Sequence, residues 1–156
     1  MAEKIWHLKR CDLFQQLTEA ELVRLESRSL VRTFPRKCLV YMPSDRSDGV
    51  LLLTAGRVRI GTITDGGKQA ILAFVEPGEL FGELAVFDEG AREDYAEATE
   101  NSTVLFLPAE ELRRLAEEHA AVSFGITKLI GLRRRRIERR LKSCLLYTSP
   151  SPRDRS

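Results

Sequence analysis

Short runs of β-prone residues, each closed by glycine, proline or aspartate, most constrain the fold of this chain. They begin near residue 31, and the clearest are Leu39–Tyr41, Gly49–Ala55, Val58–Ile63, Gln69–Val75 and Thr103–Leu107. In Val58–Ile63 the apolar side chains alternate, as they do when one face of a strand is buried. Asp65-Gly66-Gly67 between two runs predicts a hairpin. The pattern predicts a mainly β fold, a sandwich or jelly-roll barrel (double-stranded β-helix), with flanking helices.

Helical patterns precede and follow the β region. Residues 3–10 predict a short helix, and Thr18 with Glu21 three residues later has the spacing of a capping box at the start of a second helix. The apolar stripe predicted for that second helix consists of Leu22, Leu25 and Leu30. Pro108, followed by Glu110 and Glu111, suits the first turn of a third helix.

A long helix is predicted from Val122 to Lys142, about 30 Å at 1.5 Å per residue. Its apolar stripe, with Leu129 beside it, consists of Val122, Ile126, Ile130, Ile137 and Leu141. Arg133 interrupts the stripe. The stripe packs either on the chain's own barrel or on the same helix of a second copy, as a coiled coil. We favour the dimer, with Ile126, Ile130, Ile137 and Leu141 at its interface.

The segment Gly78–Arg92 contains the parts of an anion-binding loop. Its glycines permit tight turns and a close approach of the backbone. Gly82-Glu83-Leu84-Ala85 can present consecutive backbone N–H groups to a phosphate, as a nest does. Arg92 adds a planar fork of donors on the other side. Glu83 is an acceptor suited to a sugar hydroxyl, so the predicted phosphate site is Gly82, Glu83, Leu84, Ala85 and Arg92.

From about Cys11 to Lys142 the chain resembles the cyclic-nucleotide-binding domain of Crp/Fnr-type bacterial transcription regulators. The likeness rests on Asp12-Leu13-Phe14 with Leu17-Thr18, on Gly49–Arg59, on Gly78–Arg92 and on the basic helix that follows. It implies a jelly-roll cyclic-nucleotide-binding barrel and a long dimerisation helix. It also implies a cyclic nucleotide, cyclic AMP or a relative, as the candidate effector, and DNA as a partner through a helix-turn-helix domain that residues 1–143 do not contain.

The resemblance divides the chain into an N-terminal helical segment (1–30), a β-roll sensor domain (31–108) and a helix plus the dimerisation helix (109–143). Residues 144–156 differ from all of these. Cys144–Asp154 resembles one translated frame of a transposase adapter used in DNA sequencing, over all eleven residues. We expect this tail to be non-native, and the native gene to continue beyond Ser143.

The residues after Arg92 depart from the family pattern, which usually has Ser or Thr with Ala there. Here Glu93 and Asp94 follow, and carboxylates oppose a cyclic phosphate. Like charges about 5 Å apart cost roughly 3 kcal/mol at an effective dielectric of about 20, near two orders of magnitude in affinity. Cyclic AMP, another ligand and no ligand all remain open. Without a ligand, Gly82–Ala85 is a barrel turn in which Glu83 bonds local amides.

The basic run Arg133–Arg140 allows three interpretations. It is a solvated helix face, a DNA contact, or a segment next to a DNA-binding domain that follows. The whole chain carries a formal net charge of only +2, so its overall charge does not indicate nucleic acid.

The sequence lacks the residues that several classes of function require. The three cysteines lie far apart, which argues against zinc and iron–sulfur centres. His7 and His119 lie outside the strand region, so a cupin-like metal site has no ligands, and no catalytic triad has a recognisable spacing. No apolar run suits a membrane span or a secretory signal. We expect a cytoplasmic homodimer that is not an enzyme and has no membrane partner. The alternative is a stand-alone module, or one that regulates an enzyme or a channel.

Overall fold

The computed structural model describes residues 2–46, 48–83, 92 and 94–148, with the side chains of residues 2, 3, 136, 137 and 140–148 excepted. The chain begins with helix α1 (Ala2–Arg10), a 3-10 turn (Asp12–Phe14) and helix α2 (Glu19–Arg28). Thr18 caps α2, and both predicted capping-box hydrogen bonds are present: Glu21 N donates to Thr18 Oγ1 at 3.2 Å and Thr18 N donates to Glu21 Oε1 at 2.9 Å. The predicted helix start is therefore confirmed.

The described residues form eight strands in two antiparallel sheets. The strands are β1 (Leu30–Phe34), β2 (Leu39–Tyr41), β3 (Gly49–Ala55), β4 (Val58–Ile63), β5 (Gln69–Val75), β6 (Leu80–Phe81), β7 (Tyr95–Ala98) and β8 (Ser102–Pro108). One sheet has the order β1-β8-β3-β6 and the other β2-β7-β4-β5. The two sheets face each other as a jelly roll, which confirms the predicted fold class.

The hairpin of β4 and β5 shows how the turn residues set the register. Val58 lies opposite Val75 and Ile63 opposite Gln69. Between them Gly67 adopts φ +77°, and its N–H donates to Thr64 O at 2.8 Å. Glycine occupies such a left-handed position without steric cost, so the hairpin predicted from the glycine pair is confirmed.

One sequence prediction is wrong at the end of α2. Leu30 does not extend the apolar stripe of that helix, because α2 ends at Arg28 and Ser29 adopts an extended conformation at its C-cap. Leu30 instead begins β1, where it lies opposite Phe106 and is exposed. Strands β6 and β7 were not predicted as separate runs.

Two hydrophobic cores lie on opposite faces of the first sheet. One fills the space between the sheets and includes Val58, Phe81 and Val104. The other lies between the first sheet and the helices and includes Leu25, Leu112 and Ile126. The helices that follow the barrel therefore pack on the β1-β8-β3-β6 sheet, and their positions depend on it.

Helices α3 (Ala109–Glu118) and α4 (Ala120–Thr148) complete the described chain. Pro108 is the N-cap residue of α3, at the predicted place. Helix α4 begins two residues before the predicted start and runs beyond the predicted end into the tail, where no glycine or proline occurs before Pro150. Among the described residues, no helix is long and apolar enough to cross a membrane.

Candidate functional site

Gly82 follows β6 directly and adopts a left-handed conformation that favours glycine. Its φ is +69°, and a Cβ at this position would lie 2.8 Å from Nη1 of Arg92. A side chain would therefore both strain the backbone and displace the arginine. The predicted turn glycine and the predicted anion-binding arginine thus come together, although they are separated by ten positions in the sequence.

Arg92 is held in this site by its backbone and by its guanidinium. Its N–H donates to Asp45 O at 2.9 Å, and its carbonyl accepts from Ser44 N at 2.8 Å. Nη2 donates to Gly49 O at 2.8 Å, and Nη1 donates to Gly82 O at the longer distance of 3.4 Å. The guanidinium carbon lies 4.2 Å from the centre of the Tyr41 ring, in a cation–π contact. Two backbone carbonyls and an aromatic ring therefore hold the guanidinium of Arg92 in place.

Glu83 is buried, and Arg133 of α4 reaches it. Nη1 of Arg133 donates to Glu83 Oε1 at 2.8 Å, and Nη2 donates to Leu80 O at 2.9 Å. Each of the two charged side chains is 9% exposed. The pair joins the turn after β6 to the middle of α4, across fifty residues of sequence. Arg133 is thus not part of a solvated helix face.

Asp94 is a half-buried carboxylate next to the buried Tyr41. The Tyr41 hydroxyl donates a hydrogen bond to it. Burial raises the pKa of Asp94, while this hydrogen bond and the charge of Arg92 lower it; the net shift is upward. Burial also raises the pKa of Tyr41, and the charge of Asp94 adds to that effect. Both groups belong to the surroundings of Arg92.

The remaining predicted site residues fall in two groups. Leu84, Ala85 and Glu93 lie outside the described residues, as do the side chains of Ile137 and Leu141. Ile126 is 1% exposed inside the hydrophobic core of the chain itself, and Ile130 packs partly buried against that core. The first half of the α4 stripe thus packs on the chain's own barrel, which was the alternative to the dimer.

Apolar side chains also lie on the outer side of α4. Phe124 is 71% exposed and Leu132 is 41% exposed. These two residues were not among the predicted interface positions. They are eight residues apart, which places them about 80° apart around the helix axis.

A second polar cluster links α2 to the junction of α3 and α4. The Nε2 atom of His119 lies 2.6 Å from Glu21 Oε2, and Glu118 offers a carboxylate oxygen nearby. The hydrogen bond with His119, together with those at the Thr18 cap, lowers the pKa of Glu21 to about 2. Glu21 also belongs to the cap of α2, and Glu118 is paired with Arg114 of α3. The cluster therefore joins α2 to the end of α3. His119 itself is the C-cap residue of α3.

Two members of the site were not predicted, Arg133 and Tyr41. A signal for Arg133 was present in the sequence, since a charged residue interrupts an otherwise apolar helix stripe. The sequence carried no comparable signal for Tyr41, which is only one of several aromatic residues in β-prone runs. Its role depends on a contact with Arg92 that only the folded barrel creates.

The comparisons with known proteins agree with the fold. A family model described as the cyclic nucleotide-binding domain matches residues 31–119. The cyclic AMP receptor protein of Thermus thermophilus is 30% identical over 128 residues, which cover 82% of this chain and 59% of that protein. The crystal structure of the Thermus thermophilus catabolite activator protein aligns with a TM-score of 0.69 at 31% identity, over 87% of this chain and 63% of that chain.

Part of the chain also matches an enzyme. Lysophospholipase nte1 of Aspergillus fumigatus is 31% identical over 97 residues, which cover 62% of this chain but 6% of the enzyme. This chain therefore spans about three fifths of the Thermus relative and only a small part of the fungal one.

Proposed function

Because this chain belongs to the cyclic nucleotide-binding domain family, we propose that it is the effector-sensing and dimerisation part of a Crp/Fnr-like transcription regulator. The observation that carries the proposal is that Arg92 lies against Gly82 in the turn after β6, while Arg133 of α4 is bonded to Glu83 of the same turn. A binding turn and a long helix share one buried ion pair. That is the arrangement a sensor needs if binding is to move the helix.

The proposed effector is a cyclic nucleotide such as cyclic AMP. Arg92 supplies a fixed positive charge for the phosphate, and the backbone at Gly82 can approach the ligand because no Cβ intervenes. Glu83 supplies an acceptor for a ribose hydroxyl. The relative named as a cyclic AMP receptor protein supports this choice of effector.

Transmission to α4 follows from competition for one carboxylate. A ribose hydroxyl that donates to Glu83 competes with Nη1 of Arg133, which now lies 2.8 Å from Oε1. Weakening that contact releases the middle of α4 from the turn after β6. Binding then shifts the population of helix positions, provided the ligand prefers one of them.

The dimer and the DNA contact complete the proposal. The exposed apolar residues Phe124 and Leu132 lie where a second copy of α4 can cover them. The native protein continues beyond Ser143 into a helix-turn-helix domain, and residues 144–156 are a non-native tail. The regulator acts in the cytoplasm, where its DNA is.

Calorimetric titration of the full chain with cyclic AMP tests the proposal. We expect saturable binding that weakens by at least about 100-fold in Arg92→Ala, because two charge-assisted hydrogen bonds of about 1.5–3 kcal/mol each are lost. Arg36→Ala removes the same charge from an exposed position and is expected to bind as the unmodified chain does. Absence of binding at millimolar cyclic AMP between pH 5.5 and 7.5, or equal affinity in Arg92→Ala, would contradict the proposal.

A second candidate function is a sensor module that regulates an enzyme. It is favoured by the partial match to lysophospholipase nte1. Sequencing the native locus beyond the Ser143 codon separates the two functions. A helix-turn-helix there supports the transcription regulator, and a catalytic domain there supports the enzyme module.

A further inference from the structure

One continuous segment, from Tyr41 at the end of β2 to Asp45 in the turn that follows, holds both ends of Arg92. The guanidinium carbon of Arg92 lies 4.2 Å from the centre of the Tyr41 ring. At the backbone, Ser44 N donates to Arg92 O at 2.8 Å and Arg92 N donates to Asp45 O at 2.9 Å. The same short stretch of chain therefore fixes where Arg92 leaves the backbone and where its charge lies.

The ring of Tyr41 is itself held by the core between the two sheets. Tyr41 is 6% exposed, and its ring stacks on that of Phe81 with centres 6.3 Å apart and an interplanar angle of 26°. On the neighbouring strand β7 it lies opposite Ala96, which is buried. Because a closely packed core leaves a ring little freedom to move, the surface that Tyr41 offers to Arg92 is rigid.

The contacts of Arg92 keep it able to bind an anion. Nη2 donates to Gly49 O at 2.8 Å and Nη1 donates to Gly82 O at 3.4 Å, and a guanidinium has further N–H donors beyond these two. The face of an aromatic ring attracts a cation through its quadrupole. Tyr41 therefore stabilises the guanidinium without bringing a negative charge that would repel an incoming phosphate.

We propose that Tyr41 is the positioning residue of the anion site: its ring holds the guanidinium of Arg92 where it binds the phosphate of the effector, both before and after the effector arrives. The proposal deepens the proposed function and rests on it. Tyr41 acts through Arg92. A side chain that already has its binding orientation loses little freedom when the ligand arrives, and this difference raises the affinity.

Removing the ring should weaken binding without removing any charge. In Tyr41→Leu the guanidinium loses this support and populates other orientations, so the fraction of chains ready to bind falls and the apparent affinity falls with it. We expect cyclic AMP to bind about tenfold more weakly, equivalent to about 1.4 kcal/mol, which lies within the range of cation–π contacts. Tyr41→Phe restores the ring and is expected to recover the affinity to within about twofold.

The test is calorimetric titration of the full chain with cyclic AMP, with circular dichroism to establish that each variant is folded. The matched control is Phe74→Leu, because the guanidinium carbon of Arg57 lies 4.2 Å from the centre of the Phe74 ring, in the same kind of contact. Arg57 follows the end of β3, whereas Gly49 begins that strand, so the control contact lies away from the anion site. We expect the tenfold loss in Tyr41→Leu and a change below about twofold in Phe74→Leu.

A second measurement does not depend on whether Tyr41→Leu folds. Protons over the face of an aromatic ring resonate upfield, so the Nε–H proton of Arg92 should lie upfield of its random-coil position in nitrogen-correlated NMR spectra of the unmodified chain. Its signal is assigned by its absence from the spectrum of Arg92→Ala. Because the proposal keeps Arg92 on the ring in the complex, the upfield shift should persist at saturating cyclic AMP.

The contrary outcomes separate the inference from the proposed function. Unchanged affinity in folded Tyr41→Leu, or loss of the upfield shift when cyclic AMP binds, overturns the role of Tyr41 and leaves the proposed function intact. Equal losses in Tyr41→Leu and Tyr41→Phe, or in Tyr41→Leu and Phe74→Leu, also overturn it, because the ring under Arg92 would then not be the cause. If the unmodified chain does not bind cyclic AMP at about 1 mM, both the inference and the proposed cyclic nucleotide sensing fail.

Discussion

Replacing Arg133 with methionine is expected to destabilise the fold by about 3–5 kcal/mol. The ion pair with Glu83 is buried, with each side chain 9% exposed and 2.8 Å between Nη1 and Oε1. Removal of one partner of such a pair leaves an uncompensated buried charge, which costs far more than the net value of the pair itself. The substitution also removes the hydrogen bond to Leu80 O.

Urea unfolding followed by circular dichroism measures this effect at a fixed protein concentration. With a slope of about 2 kcal/mol per molar urea, the predicted loss lowers the midpoint by about 1.5–2.5 M. Arg134→Met is the matched control, because the neighbouring arginine is 80% exposed and pairs with Glu138, which is exposed as well. Its loss is expected to stay below about 0.5 kcal/mol.

A double-mutant cycle then separates the pair from the other contacts of Arg133. Glu83→Gln removes the buried negative charge, so Arg133→Met should cost less in that background than in the unmodified chain. Equal midpoints for Arg133→Met and Arg134→Met would refute the reasoning. So would strict additivity of the two substitutions, because the buried charges would then not interact.

Three further predictions concern local features. Gly82→Ala is expected to lower the free energy of unfolding in urea by about 1–2 kcal/mol, because Gly82 has a left-handed backbone, and to weaken cyclic AMP binding. Gly66→Ala is the control, since Gly66 has open space around it, and should change neither stability nor binding. Equal effects of the two would contradict the account. Hydrogen bonds to His119 and to the Thr18 cap lower the pKa of Glu21 from its ordinary value of 4.5 to about 2. The contribution of Glu21 to the free energy of unfolding is therefore full above pH 4.5 and is lost as the pH falls towards 2. Glu21→Gln should flatten that part of the pH profile of urea unfolding, and an unchanged slope would count against it. Burial raises the pKa of the Cys11 thiol to about 11. Maleimide at pH 7.5 should therefore label the exposed Cys38 and not Cys11, as measured by peptide mass spectrometry. Labelling of both cysteines at the same rate would contradict this prediction.

Local sequence signals predicted the parts of the fold that depend on near neighbours. The cap formed by Thr18 and Glu21 and the hairpin at Asp65–Gly67 each lie within a few residues of sequence, and both were predicted correctly. Strand β7 was missed because Ala and Glu, which make up most of Tyr95–Ala98, have low strand propensity. It forms because β2 and β4 lie on either side of it.

In the candidate site, too, the residues of one local motif were predicted and the contacts between distant segments were not. The turn glycine Gly82 and the fork of Arg92 belong to one motif, so the sequence indicates them together. The contact of Arg133 with Glu83 spans fifty residues, and no local pattern relates the two. The sequence also did not predict that Ile126 packs on the chain's own barrel, because a helical stripe looks the same whether it faces a barrel or a second helix.

Hydrogen exchange in α4 on addition of saturating cyclic AMP tests the central claim, that binding at the turn after β6 reaches the long helix through Glu83 and Arg133. The account predicts that exchange of the amides around Arg133 changes severalfold in the unmodified chain, and that the change is absent in Arg133→Met. Saturable binding of cyclic AMP with unchanged exchange throughout α4 would contradict it.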